Sequence, residues 1–382
     1  MQKYRRYDID WIRVLVFDIL ILYHVGLFFV PWHYHINNNE TVEWMSYPMF
    51  FIHQWRIPIL FVISGMGTRF ALSDRSGAAY IKERFIKLFI PLIVGILVVV
   101  SPQVYIERLS QGKANGSFFE FFPSFFDGVY PIGNFSWHHL WFLPYLLLMS
   151  VLSTPLFLKL KNNKNKIVLL LSKIFDRSPW SLFIFTLPLL IVEISLRPSF
   201  PITHTLLGDW YALTSYSILF ISGFLLISIG KSFWKAIDKI KIYTLIFGIV
   251  FFLILLHQWD NAEYNIFISI VRVMNMWCWI LTVFAYSSKY LNKESKVIRY
   301  RNQAVYPFYI LHQTIILFIG YLLMDSSLHY MLKFIIMITG TFGFSWIIYE
   351  FVIRRFKIIR PLFGLKLSKS SKVSSSLPNN SH

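Results

Sequence analysis

Long apolar segments dominate this chain, and they leave few folds open to it. A helix that crosses a bilayer needs about 20 mainly apolar residues, and ten segments approach or reach that length. They cover approximately residues 11–31, 47–68, 88–105, 139–158, 180–196, 210–229, 242–257, 266–288, 304–324 and 330–353. The sequence therefore predicts an all-α polytopic membrane protein with about ten transmembrane helices. Residues 1–365 should form one membrane-embedded domain, and the polar, low-complexity residues 366–382 should form a disordered cytoplasmic tail.

Composition excludes the other classes of protein. The chain is 56% hydrophobic and 15% charged, whereas a soluble domain is about 45–50% apolar and about 25% charged. Soluble, disordered and fibrous proteins are therefore excluded. The single cysteine, Cys278, excludes a disulfide framework and a cysteine metal cluster. The first apolar segment follows basic residues as a signal peptide would, but it contains Arg13, Asp18 and His24, so we expect it to be retained.

The basic residues predict the orientation in the membrane. Thirty of the 37 Lys and Arg residues lie at the termini or in alternate connections between the apolar segments. Under the positive-inside rule, both termini are therefore cytoplasmic and the protein is integral to the cytoplasmic, or inner, membrane. This distribution also explains the net charge of +18 through topology and anionic lipid headgroups, so we expect membrane lipids and no nucleic acid as partners.

The longest outer connection, residues 106–138, is rich in Phe and Gly and does not have the pattern of a folded domain. Such aromatic segments can lie in the membrane interface. Any chemistry is therefore expected within the membrane or at its edge.

Ionisable residues inside apolar segments are costly and are candidates for function. Arg13 and His24 are eleven residues apart, which places them within about 20° of the same helix face. Arg13 could instead be an anchor that reaches the interface, but this does not explain His24. Asp18 lies on another face of the same helix, and we expect it to pair with a different helix, at Arg56 or Arg272.

Two further groups of residues are candidates for substrate binding. Arg69, Arg84 and Lys87 lie between the second and third apolar segments. They could bind phosphates at the cytoplasmic edge, although positive-inside charges explain them equally well. At the outer edge, Trp137, His139 and Trp141 could bind a sugar by stacking, although aromatic residues are also common at membrane interfaces.

The other histidines and glycines that the sequence draws attention to, and the known catalytic motifs, give weaker evidence of function. His312 lies inside the ninth segment and is as well explained by a satisfied core histidine as by an active one. Gly65 and its small neighbours are expected to allow close helix packing. We find no nucleophile elbow, phosphate-binding loop, zinc-protease motif or dinucleotide fingerprint. His33 and His35 lie in a predicted solvated loop without a carboxylate partner, so no metal site is predicted.

The opening YDIDWIRVLVFDILILYHVGLFF resembles the acyltransferase 3 family of integral membrane O-acyltransferases, whose Arg, ten residues, His pattern falls on Arg13 and His24. Further matches are FVISG from Phe61, the stretch from Arg84 through Lys87 to Pro91, HLWFL from His139 and YPFYILH ending at His312. The resemblance covers approximately residues 5–360 and is greatest to the branch that succinylates periplasmic glucans. Lys87 is a departure, since relatives often have Arg there, and Asp18 is not part of the family pattern.

This resemblance implies that acyl-CoA on the cytoplasmic side donates an acetyl, succinyl or similar group to a hydroxyl of an extracytoplasmic glycan or glycolipid. Acyl-CoA would be a substrate, and no permanently bound cofactor is expected. His24 is then the expected general base, with Arg13 and His312 as further catalytic candidates, because imidazole exchanges protons near neutral pH. The alternative is a transporter or flippase of a lipid-linked glycan, which predicts broken helices at the membrane midplane. A purely structural membrane protein would leave His24 and His312 unexplained.

Overall fold

The computed structural model describes residues 5–162, 164–259 and 265–366, and within these ranges the fold is helical without a β-strand. The predicted disordered tail lies outside the described residues except for Lys366. Apart from short turns, eleven helices are found in the described ranges: α1 Tyr7–Leu27, α2 Glu43–Ala71, α3 Gly77–Ser110, α4 His138–Leu160, α5 Lys166–Arg177, α6 Pro179–Ser195, α7 Trp210–Ile229, α8 Lys231–His257, α9 Ile266–Tyr290, α10 Lys296–Leu323 and α11 Tyr330–Ile353.

Eight helices of the described chain are long and apolar enough to cross a membrane, namely α2, α3, α4 and α7 to α11. They correspond to eight of the ten predicted segments. The first predicted segment corresponds to α1, a helix of 21 residues that carries several charges. The fifth corresponds to α6, which is shorter and begins as a 3₁₀ helix. A multi-pass helical membrane protein is confirmed, whereas the count of ten and the side of the termini stay predictions.

The boundary of the first segment differs from the prediction for a local reason. The helix ends at Leu27, although the apolar segment continues to residue 31. The Asn37 side chain donates hydrogen bonds to the carbonyl oxygens of Leu27, Val30 and Trp32 at 3.1–3.2 Å. These bonds satisfy carbonyl groups that the helix no longer pairs, and they turn the chain away from the helix axis.

Helix α1 lies inside the bundle, where it packs against α2, α9, α10 and α11. This position buries the helix that carries Arg13 and His24. By contrast, α8 and α11 expose many apolar side chains, as expected for helices that face lipid.

Glycines allow α2 and α7 to approach closely, as the sequence predicted for Gly65. A methyl group at Gly65 would overlap the carbonyl oxygen of Phe220, and one at Gly223 would overlap that of Val62. The two helices therefore cross with each glycine against the other backbone.

The connections predicted to lie outside the membrane meet at one end of the bundle. Four of these connections, or their edges, each contribute a residue to the wall of one cavity. The four residues are Trp32, Trp137, His204 and Trp259. In the fifth, Asp325 accepts a hydrogen bond of 2.8 Å from Asn39. The alternation of the basic residues thus agrees with the grouping of the connections, and this end is called the predicted outer end below.

Candidate active site

His24 of α1 and His312 of α10 form a hydrogen-bonded pair in the core of the bundle. His24 Nδ1 lies 3.0 Å from His312 Nε2, and His312 Nδ1 lies 2.6 Å from the carbonyl oxygen of Tyr309. A carbonyl can only accept, so Nδ1 of His312 must carry the proton. His312 Nε2 then accepts from Nδ1 of His24. In the neutral pair, the lone pair of His24 is therefore on Nε2.

Nε2 of His24 is available to a ligand. His24 is partly exposed and lines the cavity, and within the described ranges its Nε2 makes no hydrogen bond to protein. Tyr34 stacks beside the imidazole with 6.5 Å between the ring centres. The pair thus presents an unprotonated nitrogen to a cavity, which is the arrangement that a general base requires.

The cavity has a volume of about 1570 Å³ and extends from Trp259 and His204 at the predicted outer end to Phe17 and Tyr309 below His24. Its outer wall is aromatic. The rings of Trp141 and His204 stack 3.9 Å apart, and Trp137 Nε1 donates to the carbonyl oxygen of His204 at 2.9 Å.

Burial lowers the pKa of His204 to about 4, so the stacked ring is neutral at pH 7. Trp137 and Trp141 both contact His204, and both line the cavity. Their predicted contact with an acceptor stays a prediction.

His139 was predicted to contact the acceptor substrate, but its ring and its carbonyl oxygen are hydrogen-bonded within the protein. Its Nε2 donates to the carbonyl oxygen of Ile310 at 3.0 Å, and Gln103 approaches its Nδ1 at 3.5 Å. Its own carbonyl oxygen accepts from Tyr309 at 2.6 Å. His139 also lines the cavity. At the start of α4 it packs against α10, with 4.9 Å between its ring centre and that of His312.

Arg13 and His24 both contact α10, which confirms that their eleven-residue spacing places them on one helix face. Arg13 Nη1 lies 3.0 Å from Asn302 Oδ1 and 3.4 Å from Asp10 Oδ1. Arg13 is about 16 Å from His24 along the helix axis, given the rise of 1.5 Å per residue. It is not among the described residues that line the cavity.

The other predicted donor-binding residues are distributed over the opposite end of the bundle from the aromatic wall. Arg69 donates to the carbonyl oxygen of Lys161 at 3.0 Å, and Lys87 pairs with Glu83 at 2.5 Å. The Arg84 guanidinium lies 4.9 Å from the centre of the Tyr80 ring. In the part of the chain that is described, these cations do not line the cavity. Their binding of a donor stays a prediction.

Asp18 pairs with another helix, as expected, but the expected partners were wrong. Its carboxylate binds Arg301 of α10, while Arg272 pairs with Glu193 at 2.6 Å. The register of α10 against α1 places Arg301 opposite Asp18. Asp18 therefore joins the two helices that carry the histidine pair.

Arg56 is buried and lines the cavity, yet it forms no ion pair with an acidic residue in the described ranges. Its guanidinium lies 3.3 Å from the centre of the Tyr23 ring and 3.2 Å from His53 Nδ1. A buried cation with only neutral partners is available to an anionic part of a ligand. The sequence showed Arg56 as an intramembrane cation but gave no reason to place it at the site.

His35 corrects the expectation of a solvated loop. His33 is exposed, but His35 is partly buried and its Nδ1 lies 2.8 Å from Glu107 Oε2. Glu107 is 72 residues further along the chain, near the end of α3, and the fold brings it back to the first outer connection. The expectation that His35 has no carboxylate partner was therefore wrong.

Comparison with known proteins identifies the family of the chain. The family model for the acyltransferase domain of acyltransferase 3 matches residues 6–350. The chain belongs to the acyltransferase 3 family. It is therefore a multi-pass membrane acyltransferase.

Among curated proteins, this acyltransferase is similar to the glucans biosynthesis protein C of Escherichia coli strain K12 and to that of Escherichia coli O157:H7. Each is 25% identical over 362 residues, which cover 92% of this chain and 92% of the relative. No solved structure matches the chain.

Proposed function

We propose that this acyltransferase moves an acyl group, such as acetyl or succinyl, from cytoplasmic acyl-CoA to a hydroxyl of an extracytoplasmic glycan or glycolipid. The observation that carries the proposal is the His24 and His312 pair, because His24 lines the large cavity and its Nε2 has no protein partner among the described residues. Family membership supplies the reaction class, and the cavity supplies room for an acceptor.

His24 acts as the general base in this proposal. Its Nε2 accepts the proton of the acceptor hydroxyl while the hydroxyl oxygen attacks the thioester carbonyl carbon. The new C–O bond forms as the C–S bond breaks, and the proton on His24 passes to the departing thiolate of CoA. This transfer step balances in protons and electrons, and it needs neither a redox partner nor a covalent acyl-enzyme.

His312 is a positioning residue for this step. When His24 is protonated, its Nδ1–H still donates to Nε2 of His312, and the Tyr309 carbonyl keeps His312 in the accepting tautomer. An oriented acceptor of this kind stabilises the imidazolium, as the third member of a catalytic triad does.

The aromatic wall supports a carbohydrate acceptor. Trp137 and Trp141 line the cavity near its predicted outer end, and the amphipathic rings of Trp residues suit a sugar, which has an apolar face and a polar edge. The relatives are named for glucan biosynthesis, which agrees with a glycan acceptor. A glycolipid would present the same hydroxyl groups at the membrane surface.

The donor is proposed to enter from the opposite end. Arg13 lies one helical turn, about 6 Å, beyond the cavity-lining residue Phe17. Arg69, Arg84 and Lys87 lie toward the same end and could bind the phosphates of CoA when the donor docks. With cytoplasmic termini in the inner membrane, this end faces the acyl-CoA pool.

Mass spectrometry of surface glycans from cells with and without this protein tests the proposal. We expect an alkali-labile ester on the glycan only when the wild-type protein is present. A glycan that is displaced across the membrane without an added acyl group would instead indicate the flippase alternative. Glycans that are identical in mass and in location would contradict the proposed acceptor class.

A further inference from the structure

Three side chains converge at the predicted outer end, apart from the His24 and His312 pair. Each of His35, Glu107 and His138 offers a ligand atom, and these atoms all lie within 4.8 Å of one another. The rings of His35 and His138 stack with 4.2 Å between their centres. The three residues come from different parts of the chain, namely the first outer connection, the end of α3 and the start of α4.

A chain of hydrogen bonds fixes the tautomer of His138. The Thr314 hydroxyl donates to the carbonyl oxygen of Val99 at 2.8 Å, so its oxygen must accept from the Gln103 amide nitrogen at 2.7 Å. The amide oxygen of Gln103 then faces Nδ1 of His138 at 3.2 Å and accepts its proton. The lone pair of His138 is therefore on Nε2.

That lone pair has no partner in the protein. Nε2 of His138 is buried and makes no hydrogen bond among the described residues. A buried acceptor without a donor is unfavourable, and His138 belongs to a cluster that also contains a carboxylate and a second imidazole. A cation would satisfy it, and the Glu107 carboxylate would neutralise part of the charge.

Hydrogen bonds to its other oxygen, Oε1, fix the orientation of the Glu107 carboxylate. The Tyr130 hydroxyl donates to Glu107 Oε1 at 3.0 Å, and the Gln111 amide approaches the same oxygen at 3.3 Å. Oε2 accepts a hydrogen bond of 2.8 Å from Nδ1–H of His35, and a cation bound between these two atoms would displace that proton. Metal-binding imidazoles and carboxylates are oriented by such outer hydrogen bonds, which here are made with Gln103, Gln111 and Tyr130.

We propose that His35, Glu107 and His138 bind a divalent zinc-type cation. Two imidazole nitrogens and one carboxylate oxygen form a ligand set that suits zinc, whereas calcium and magnesium prefer oxygen ligands throughout. His35 and His138 line the cavity, so the fourth position opens toward it and would accept water or a substrate oxygen. The ring of Tyr34 stands between this cluster and His24.

Zinc content of the purified full chain in detergent tests this site without reference to activity. The protein is stripped with a chelator, incubated with zinc alone, separated from free metal by gel filtration and measured by elemental mass spectrometry. We expect one zinc per wild-type chain. His35→Gln and Glu107→Gln should each weaken zinc binding by more than the about 10- to 100-fold that loss of an outer hydrogen bond costs.

His53→Gln and His204→Gln are matched controls, because both histidines line the same cavity but lie outside the cluster. They should retain one zinc per chain. Where a ligand variant does not elute as a monodisperse peak, the wild-type chain is titrated with Co²⁺, whose visible absorption reports tetrahedral nitrogen and oxygen ligands. A wild-type chain that binds neither metal, or ligand variants that keep wild-type zinc, would overturn the site.

Discussion

Replacing His312 with Leu removes the acceptor that faces His24 while it keeps a buried side chain of similar size. His312 is fully buried, and its Nε2 is the hydrogen-bond partner of His24 Nδ1 at 3.0 Å. In the proposed reaction, this bond is made to a charged imidazolium. Hydrogen bonds to charged groups are worth about 1.5–3 kcal/mol, which corresponds to about 10- to 150-fold in rate.

The assay measures release of CoA thiol from acyl-CoA by purified protein in proteoliposomes that contain the acceptor glycan. We expect His312→Leu to lower kcat by that factor with little change in the KM for acyl-CoA, because His312 does not contact the donor in the proposal. His312→Gln should recover part of the rate, since its amide oxygen can accept from His24. His257→Leu is the control, because His257 is exposed and outside the cavity.

Two results would refute the reasoning about His312. Wild-type kcat in a folded His312→Leu protein would mean that the hydrogen bond does not act in the reaction. A loss as large as the one caused by removing His24 would mean that His312 does more than orient His24.

Three further predictions concern packing, pairing and donor binding. Gly65→Ala should lower stability by about 1–3 kcal/mol, because the added methyl group overlaps the α7 backbone. Gly343→Ala should not, because Gly343 has open space beside it. Thermal unfolding in detergent measures both variants. Asp18→Asn should lower stability by about 1 kcal/mol, the value of a partly exposed pair. Adding Arg301→Gln should then change stability little, which a double-mutant cycle tests, and additive losses would contradict the pair. Arg13→Ala should raise the KM for acyl-CoA about 10- to 150-fold with partial recovery in Arg13→Lys. An unchanged KM would make Arg13 an anchor.

Much of the fold could be predicted because bilayer thickness sets the length of an apolar helix. Eight predicted segments correspond to helices that satisfy this requirement. Hydropathy alone placed the end of the first segment at residue 31, but the Asn37 side chain ends the helix at Leu27. A hydrogen bond from a residue ten positions away is not visible in an apolar segment.

The partners of the charged groups were harder to predict than the groups themselves. Periodicity placed Arg13 and His24 on one face of α1, and the structure confirms it through their contacts with α10. Helical periodicity does not indicate which other helix that face packs against. Asp18 and Arg301 are 283 residues apart, and His24 and His312 are 288 apart.

The His35 cluster could not have been derived from spacing. His35 and Glu107 fall in different connections, and neither motif nor hydropathy relates them. The sequence contained one weak signal. His35 lies in one connection that is predicted to be outside, and Glu107 and His138 lie at the two ends of another. Residues on the same side of a membrane can meet, although the sequence does not say which of them do.

The central claim is that Nε2 of His24 takes the proton of the acceptor hydroxyl, and His24→Gln tests it most directly. Glutamine keeps hydrogen-bonding groups at this position but cannot accept and release a proton near neutral pH. Loss of a general base costs about 10²–10⁴-fold. At equal expression and insertion, we therefore predict that His24→Gln lowers glycan esterification and CoA release by at least about 10². Esterification near the wild-type rate in this variant would contradict the account and place the base elsewhere.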